Sequence, residues 1–113
     1  MSFGAGFAVP LVALEPRLKT ALLISGGLVG PVPRPGFDPI HFLPRITIPV
    51  LMVNGRYDPV FTVDNLQIPM FEHLGTPAAD KRHVILEAAH LLPRSDLLRE
   101  SLAWLDRYLG PVR

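Results

Sequence analysis

Short apolar runs alternate with polar, glycine-rich and proline-rich stretches along this chain, and the runs predict buried strands. Four-residue runs of this kind are Ala21 to Ile24, Val50 to Val53 and His83 to Leu86. Strands covered on both faces, as in parallel sheets, give such continuous runs rather than strict alternation. Ser25-Gly26-Gly27 ends the first run and Asn54-Gly55 ends the second.

Helical segments are predicted before and between these strands. Phe7 to Leu14 is apolar enough for a helix packed on both sides, and Pro10 is expected to kink it or confine it to one end. A second helix is predicted from about Val63 to Leu74, with a bend at Pro69. Its candidate N-caps are Thr62 and Asp64, and Gly75 is the stop.

The last helix is predicted at Asp96 to Leu109, where the amphipathic pattern is clearest. Ser95 is its expected N-cap, and Gly110 ends it. Strands that alternate with helices predict an α/β fold with about three parallel strands and flanking helices. The predicted apolar face consists of Leu98, Leu102, Leu105 and Leu109, with Leu97, Trp104 and Tyr108 beside it.

Prolines crowd the stretch from residue 28 to residue 49, which predicts an extended excursion over the surface. One short helical turn is expected inside it, because Asp38 can cap and Pro39 suits a first helical position. Pro44 is expected to end that turn. Phe37, His41, Phe42 and Phe61 suggest an apolar wall for a substrate pocket.

Composition narrows the range of partners. The 113 residues are 49% hydrophobic, enough for one small domain. Eleven Lys and Arg against ten Asp and Glu give a net charge of +1 without a basic stripe, which disfavours nucleic acid and anionic membranes. No apolar run approaches the ~20 residues of a membrane span, so we expect a soluble chain. The lack of cysteine fits a cytoplasmic protein.

Two chemically versatile residues follow neighbouring predicted strands. Asp58 comes shortly after the strand at Val50 to Val53, and His90 comes shortly after the strand at His83 to Leu86. Because sites in open parallel sheets form at the carboxyl ends of strands, these residues are expected to meet. An acid and a histidine make up half of a catalytic triad, and its nucleophile is expected earlier in the chain.

Three motifs, taken in chain order, resemble the C-terminal half of an α/β-hydrolase. Ser2-Phe3-Gly4 resembles the end of the Gly-x-Ser-x-Gly nucleophile elbow, residues 54–58 resemble the segment with the triad acid, and Ala88-Ala89-His90 resembles the segment with the triad histidine. Residues 74–77 and 80–83 also resemble the linker of dienelactone-hydrolase-like members. The similarity covers nearly the whole chain, as a single partial domain over residues 1–113.

The resemblance implies a serine hydrolase that acts on small-molecule esters or related acyl compounds. Ser2 would be the nucleophile, His90 the general base and acid, and Asp58 the residue that orients His90. The backbone N–H of Phe3 would be one oxyanion donor, and the second donor would come from an earlier loop that this chain does not contain. The chain is therefore expected to be part of a longer protein. No cofactor is implied, because side chains supply both base and nucleophile.

Other interpretations remain open. Ser2 could be an ordinary residue after the initiator methionine, Asp58 a strand-terminating turn residue, and His90 a residue that caps the gap before a helix. His41, His73 and His83 are interpreted as surface or packing residues. A metal site is disfavoured, since no His and carboxylate cluster appears at ligand spacing, and Gly4-Ala5-Gly6 lacks the third glycine of a dinucleotide site. An uncovered edge at Ala21 to Ile24 suggests a non-catalytic or complementing lobe that pairs with another chain or with itself.

Overall fold

The computed structural model describes residues 1–30 and 36–112, which form an α/β layer structure. Pro31, Pro33 and Pro35 of the proline-rich excursion lie outside the described residues. The helices are α1 (Phe3–Phe7), α2 (Val9–Leu14), α3 (Ile68–His73) and α4 (Arg94–Leu109), and the strands are β1 (Ala21–Ile24), β2 (Val50–Gly55) and β3 (Lys81–Leu86). Shorter helical turns are the 3₁₀ turns Pro39–His41, Leu43–Arg45 and Ala78–Asp80 and the π-helical turn Val63–Gln67.

The described strands form one parallel sheet in the order β1-β2-β3. In the register, Leu23 lies beside Met52, and Met52 lies beside His83. Every residue of the central strand β2 is buried, which explains its unbroken apolar run. The predicted α/β fold with three parallel strands is confirmed.

Side chains of β2 alternate between two hydrophobic cores on opposite faces of the sheet. Val50 and Met52 join a core formed with α1, α2 and α3. Leu51 and Val53 join a smaller core closed by α4 through the buried Trp104. Covering both faces with helices holds the strand ends in a fixed frame, and it is at these ends that the candidate chemistry lies.

The first predicted helix, Phe7 to Leu14, is observed as α2, and the helix before it, α1, was not predicted. Helix α1 begins at Phe3, and Ala8 separates it from α2. Pro10 lies in the first turn of α2, where a backbone N–H would have no partner within the helix, so proline costs no hydrogen bond there. The predicted helix at Val63 to Leu74 is divided. Its first part is a π-helical turn, and Pro69 lies in the first turn of α3.

The widened turn before α3 serves the loop that follows β2. It places the amide of Gln67 so that Nε2 donates hydrogen bonds to the carbonyl oxygens of Gly55, at 2.9 Å, and Phe61, at 2.6 Å. The loop after β2 is thereby tied to a buried polar group instead of to solvent.

Helix α4 corrects two predictions. Pro93 occupies the N-cap position, so Ser95 lies inside the helix and is not the cap. The predicted leucine face is also wrong, because Leu102 is 56% exposed whereas Trp104 is 5% exposed. Trp104 donates from Nε1 to Thr20 Oγ1 at 2.8 Å, and this bond turns the side with Leu97 and Trp104 toward the sheet.

The turn predicted at Asp38 and Pro39 is confirmed. Asp38 Oδ1 accepts a hydrogen bond from the N–H of Ile40 at 3.3 Å, and Pro39 begins the 3₁₀ turn. Pro44 does not end that turn but lies within the next one, Leu43–Arg45. Among the described helices, none combines the length and apolar character needed to cross a membrane.

Candidate active site

Ser2, Asp58 and His90 meet at the carboxyl edge of the sheet. His90 Nε2 lies 2.8 Å from Ser2 Oγ, and His90 Nδ1 lies 2.8 Å from Asp58 Oδ2. The three side chains thus form a continuous hydrogen-bonded chain from a hydroxyl through an imidazole to a carboxylate. In the tautomer that fits these partners, Nδ1–H donates to Asp58 and Nε2 accepts from the Ser2 hydroxyl.

Asp58 is held by the loop that follows β2. Its Oδ1 accepts hydrogen bonds from the backbone N–H groups of Val60, at 2.8 Å, and Phe61, at 3.1 Å. Its Oδ2 remains for His90, and the side chain is completely buried. A buried carboxylate with both oxygens bonded is fixed in direction, so it can hold the imidazole in one orientation.

Ser2 lies in a sharp turn between the sheet edge and α1. Its backbone has φ 57° and ψ −136°, a conformation that a non-glycine residue rarely adopts. The N–H of Ser2 donates to the carbonyl oxygen of Ile24 at 2.8 Å, which anchors the turn to the end of β1. Phe3 is the first residue of α1, so its N–H belongs to the helix turn whose donors have no intrahelical partner.

The turn also requires a close approach between α1 and the residues after β1. A Cβ on Gly26 would lie 2.6 Å from the Cβ of Ala5 and 3.5 Å from the carbonyl oxygen of Ser2. Any larger residue at position 26 would push α1, and Ser2 with it, away from His90.

One aromatic ring packs beside His90, and a second ring packs against the first. The buried Phe61 ring stacks on the imidazole with centroids 6.2 Å apart, and it meets the Phe3 ring edge to face at 5.2 Å. The predicted apolar wall is therefore present only in part. Phe61 lies at the site, whereas Phe42 packs against the hydrophobic core and Phe37 and His41 are exposed.

No protein-family model matches this chain, and no curated protein matches it either. Solved structures do match. An esterase from an Arctic intertidal metagenomic library aligns over 96% of this chain and 46% of its own, with 26% identity and a TM-score of 0.80. A putative dienelactone hydrolase from Klebsiella pneumoniae aligns over 96% and 50%, with 24% identity and a TM-score of 0.75.

An esterase domain from Rhodothermus marinus aligns over 96% of this chain and 60% of its own, with 20% identity and a TM-score of 0.73. The chain has the fold of the C-terminal part of an α/β-hydrolase. It spans about half the length of the esterases and hydrolases that it matches.

Within this α/β-hydrolase fold, exposed hydrogen bonds among Arg56, Tyr57 and Glu87 join the loops that carry Asp58 and His90. Glu87 bonds to Arg56 Nε at 2.5 Å and accepts from the hydroxyl of Tyr57 at 2.7 Å. The hydrogen bonds from Tyr57 and from Arg56 lower the pKa of the Glu87 carboxyl. Glu87 is therefore a carboxylate at neutral pH and pairs with Arg56.

Ser25 is a neighbour of the site that the sequence analysis missed. This buried residue donates a hydrogen bond from Oγ to the main-chain carbonyl oxygen of His90 at 2.8 Å. The sequence pattern indicates only that Ser25 ends a strand. Its position at the carboxyl end of a parallel strand was the available signal, since the α/β-hydrolase fold builds its sites at such ends.

The other histidines lie away from this chain of hydrogen bonds. His41 and His73 are exposed, and His83 is half-buried, with Nε2 3.0 Å from Asn54 Oδ1. This agrees with their interpretation as surface or packing residues. In the part of the chain that the structure describes, no three His, Asp or Glu side chains converge in a group that could hold a metal ion.

Proposed function

We propose that this chain is the C-terminal catalytic part of a serine hydrolase that cleaves ester or related acyl bonds of small molecules. The observation that carries the proposal is the unbroken Ser2–His90–Asp58 hydrogen-bond chain, with both contacts at 2.8 Å. The likeness to solved esterases supports the same reaction class.

The proposed reaction begins with transfer of the Ser2 hydroxyl proton to His90 Nε2 as Oγ attacks the substrate carbonyl. Asp58 accepts the Nδ1–H bond throughout and stabilises the transient imidazolium. Collapse of the tetrahedral intermediate breaks the bond to the leaving group, which takes the proton from His90. Water then attacks the acyl-serine by the same route in reverse and releases the acid.

The oxyanion of the intermediate needs backbone donors close to Ser2. We assign one of these donors to the N–H of Phe3, because Phe3 follows Ser2 directly and begins α1. Each such donor contributes roughly 3 kcal/mol to the lowering of the barrier. In this proposal a second donor comes from outside residues 1–113, which act as a single partial domain. The proposed reaction uses no cofactor.

A cytoplasmic location of the chain remains a prediction.

The proposal is tested by labelling the purified, folded chain with a fluorophosphonate probe. We expect labelling at Ser2, identified by peptide mass. Labelling should be lost in Ser2→Ala, which removes the nucleophile, and in His90→Ala, which removes the base that activates it. Ser95→Ala, which removes an exposed hydroxyl on α4, is the matched control and should label normally. A folded chain that takes up no label would refute an autonomous enzyme.

A second candidate function is a non-catalytic or complementing lobe that associates with another chain. Its support is an exposed apolar stripe on α1 and α2 formed by Phe3, Phe7, Leu11 and Leu14, each between 54% and 62% exposed. Strand β1, at the edge of the described sheet, offers backbone groups for pairing.

A further inference from the structure

The carboxyl end of β1 bonds to Ser2, to His90 and to the end of β2. The carbonyl oxygen of Ile24 accepts from the N–H of Ser2 at 2.8 Å. The next residue, Ser25, donates through Oγ to the carbonyl oxygen of His90, also at 2.8 Å. The carbonyl oxygen of Gly26 then accepts from Asn54 Nδ2 at 2.7 Å, at the end of the strand that leads to Asp58. Three successive residues thus join Ser2, the loop with His90 and the end of β2 to one strand end.

Ser25 also adopts an unfavourable backbone conformation. Within residues 1–30 and 36–112, the non-glycine residues with positive φ are Ser2, at 57°, and Ser25, at 49°. Both serines contact His90, one at its ring and the other at its main chain. Backbone strain of this kind persists where the surrounding structure enforces it, and it clusters at functional sites.

A glycine at position 25 would adopt this backbone more easily, yet the chain has Gly26 and Gly27 next to it and a serine here. What serine adds is the hydroxyl. Because Ser25 is buried and its hydroxyl donates to His90, the side chain fixes the height of the histidine loop above the sheet. Asp58 bonds to the ring, and the N–H of Tyr57 bonds to the loop at the carbonyl oxygen of Ala88, whereas Ser25 bonds to the main chain of His90 itself.

We propose that Ser25 is a positioning residue that holds the main chain of His90 at the distance from Ser2 needed for proton transfer. This inference rests on the proposed serine-hydrolase function and extends it to a residue that touches neither substrate nor reacting atoms. Ser25 acts through His90, and the strain at its backbone is tolerated because the hydroxyl is required there.

The test compares Ser25→Gly with Ser25→Ala. Both changes remove the hydroxyl, but glycine relieves the positive φ and alanine does not, so we expect Ser25→Gly to have the higher thermal midpoint. We expect both variants to label with fluorophosphonate about tenfold more slowly than the wild type, since small misplacements of a base are costly. Thr76→Val is the matched control, because it removes a buried hydroxyl that donates to Ile48 at the opposite end of the sheet.

A purely structural role would make labelling follow stability, so Ser25→Gly would then label faster than Ser25→Ala. That result, or wild-type labelling in both variants, would overturn the inference. Thr76→Val should lower the thermal midpoint and leave the labelling rate of the folded chain unchanged.

A second measurement keeps the inference separate from the activity itself. The Nδ1–H proton of His90, bonded to Asp58, should give a downfield proton NMR signal that shifts in both Ser25 variants and stays in place in Thr76→Val. If the wild type fails to label but this shift occurs, the isolated chain is not an autonomous enzyme, and the positioning of His90 by Ser25 stands. An unchanged signal, or none in the wild type, would refute the positioning role.

Discussion

Asp58 carries out two tasks with its two oxygens. Oδ1 accepts the N–H groups of Val60 and Phe61 and so shapes the loop, while Oδ2 accepts from His90 and so orients the imidazole. The two tasks can be separated experimentally, because an amide retains one acceptor oxygen but cannot accept with its nitrogen.

Changing Asp58 to Asn should preserve the loop and damage the chemistry. The amide oxygen can still accept from the backbone, whereas an NH₂ group facing His90 Nδ1 favours the wrong tautomer. We expect the rate of fluorophosphonate labelling to fall roughly 10³- to 10⁴-fold. Asp64→Asn, at an exposed site, is the control. A labelling rate close to that of the wild type would contradict a role for Asp58 in orienting His90.

Strand β3 contains a histidine whose surroundings disfavour its charged form. His83 packs against Phe71, with ring centroids 5.4 Å apart, and its Nε2 faces Asn54 Oδ1. Lys81, on the same strand, lies 4.9 Å from the centre of the Phe71 ring. Burial lowers the pKa of His83 to about 4, so the folded chain holds this imidazole neutral at pH 7.

The lowered pKa of His83 predicts a loss of stability on acidification. Between its ordinary pKa of 6.5 and its folded pKa of about 4, the unfolded chain binds more protons at this residue than the folded chain does. The free energy of unfolding should therefore decrease as the pH falls through that range and level off below it. His83→Gln, which can still donate to Asn54, should flatten this part of the curve in denaturant titrations. His73→Gln, at an exposed site, should leave the curve unchanged.

The elements that could be predicted are those whose pattern is local. The apolar run of β2 predicts a strand because every residue in it is buried. The packed face of α4 could not be predicted, because it depends on a bond between Trp104 and Thr20, 84 positions apart. At the site, the positions of Asp58 and His90 after neighbouring strands predicted their meeting. The position of Ser25 after β1 marks it as a neighbour of the site, but its bond to a main-chain carbonyl 65 positions away leaves no pattern in the sequence.

The described sheet as a whole has two edge strands, β1 and β3, and α4 packs on one of its faces. Of the two edges, β1 is the one whose carboxyl end bonds to Ser2. The N–H of Ala21 donates to the carbonyl oxygen of Pro49, just before β2, and the N–H of Ser25 donates to the carbonyl oxygen of Val53 in β2. Because successive backbone N–H groups of a strand point to opposite sides, the N–H of Leu22 points away from β2. It lies on the same side of β1 as the hydrogen bond between Ile24 and Ser2.

The edge at β1 and the exposed stripe on α1 and α2 predict association of the isolated chain. We expect sedimentation to detect oligomers, and we expect Leu11→Glu on the exposed stripe to reduce them. Leu109→Glu, at an exposed position on α4, is the matched control. Hydrogen exchange at the Leu22 amide should slow as the chain is concentrated, while exchange at Leu23 stays constant. A monomer at all concentrations would argue against the complementing lobe.

The Ser2–His90 hydrogen bond joins residues 88 positions apart. Closing a loop of that length in a disordered chain costs about 4 kcal/mol of entropy, so the contact cannot persist before the intervening strands have paired. In the proposed mechanism, Ser2 is therefore an unactivated alcohol in any chain that has not folded. The proposed reactivity would appear only after the strands have paired, so the fraction of labelled Ser2 would report the fraction of molecules that have folded.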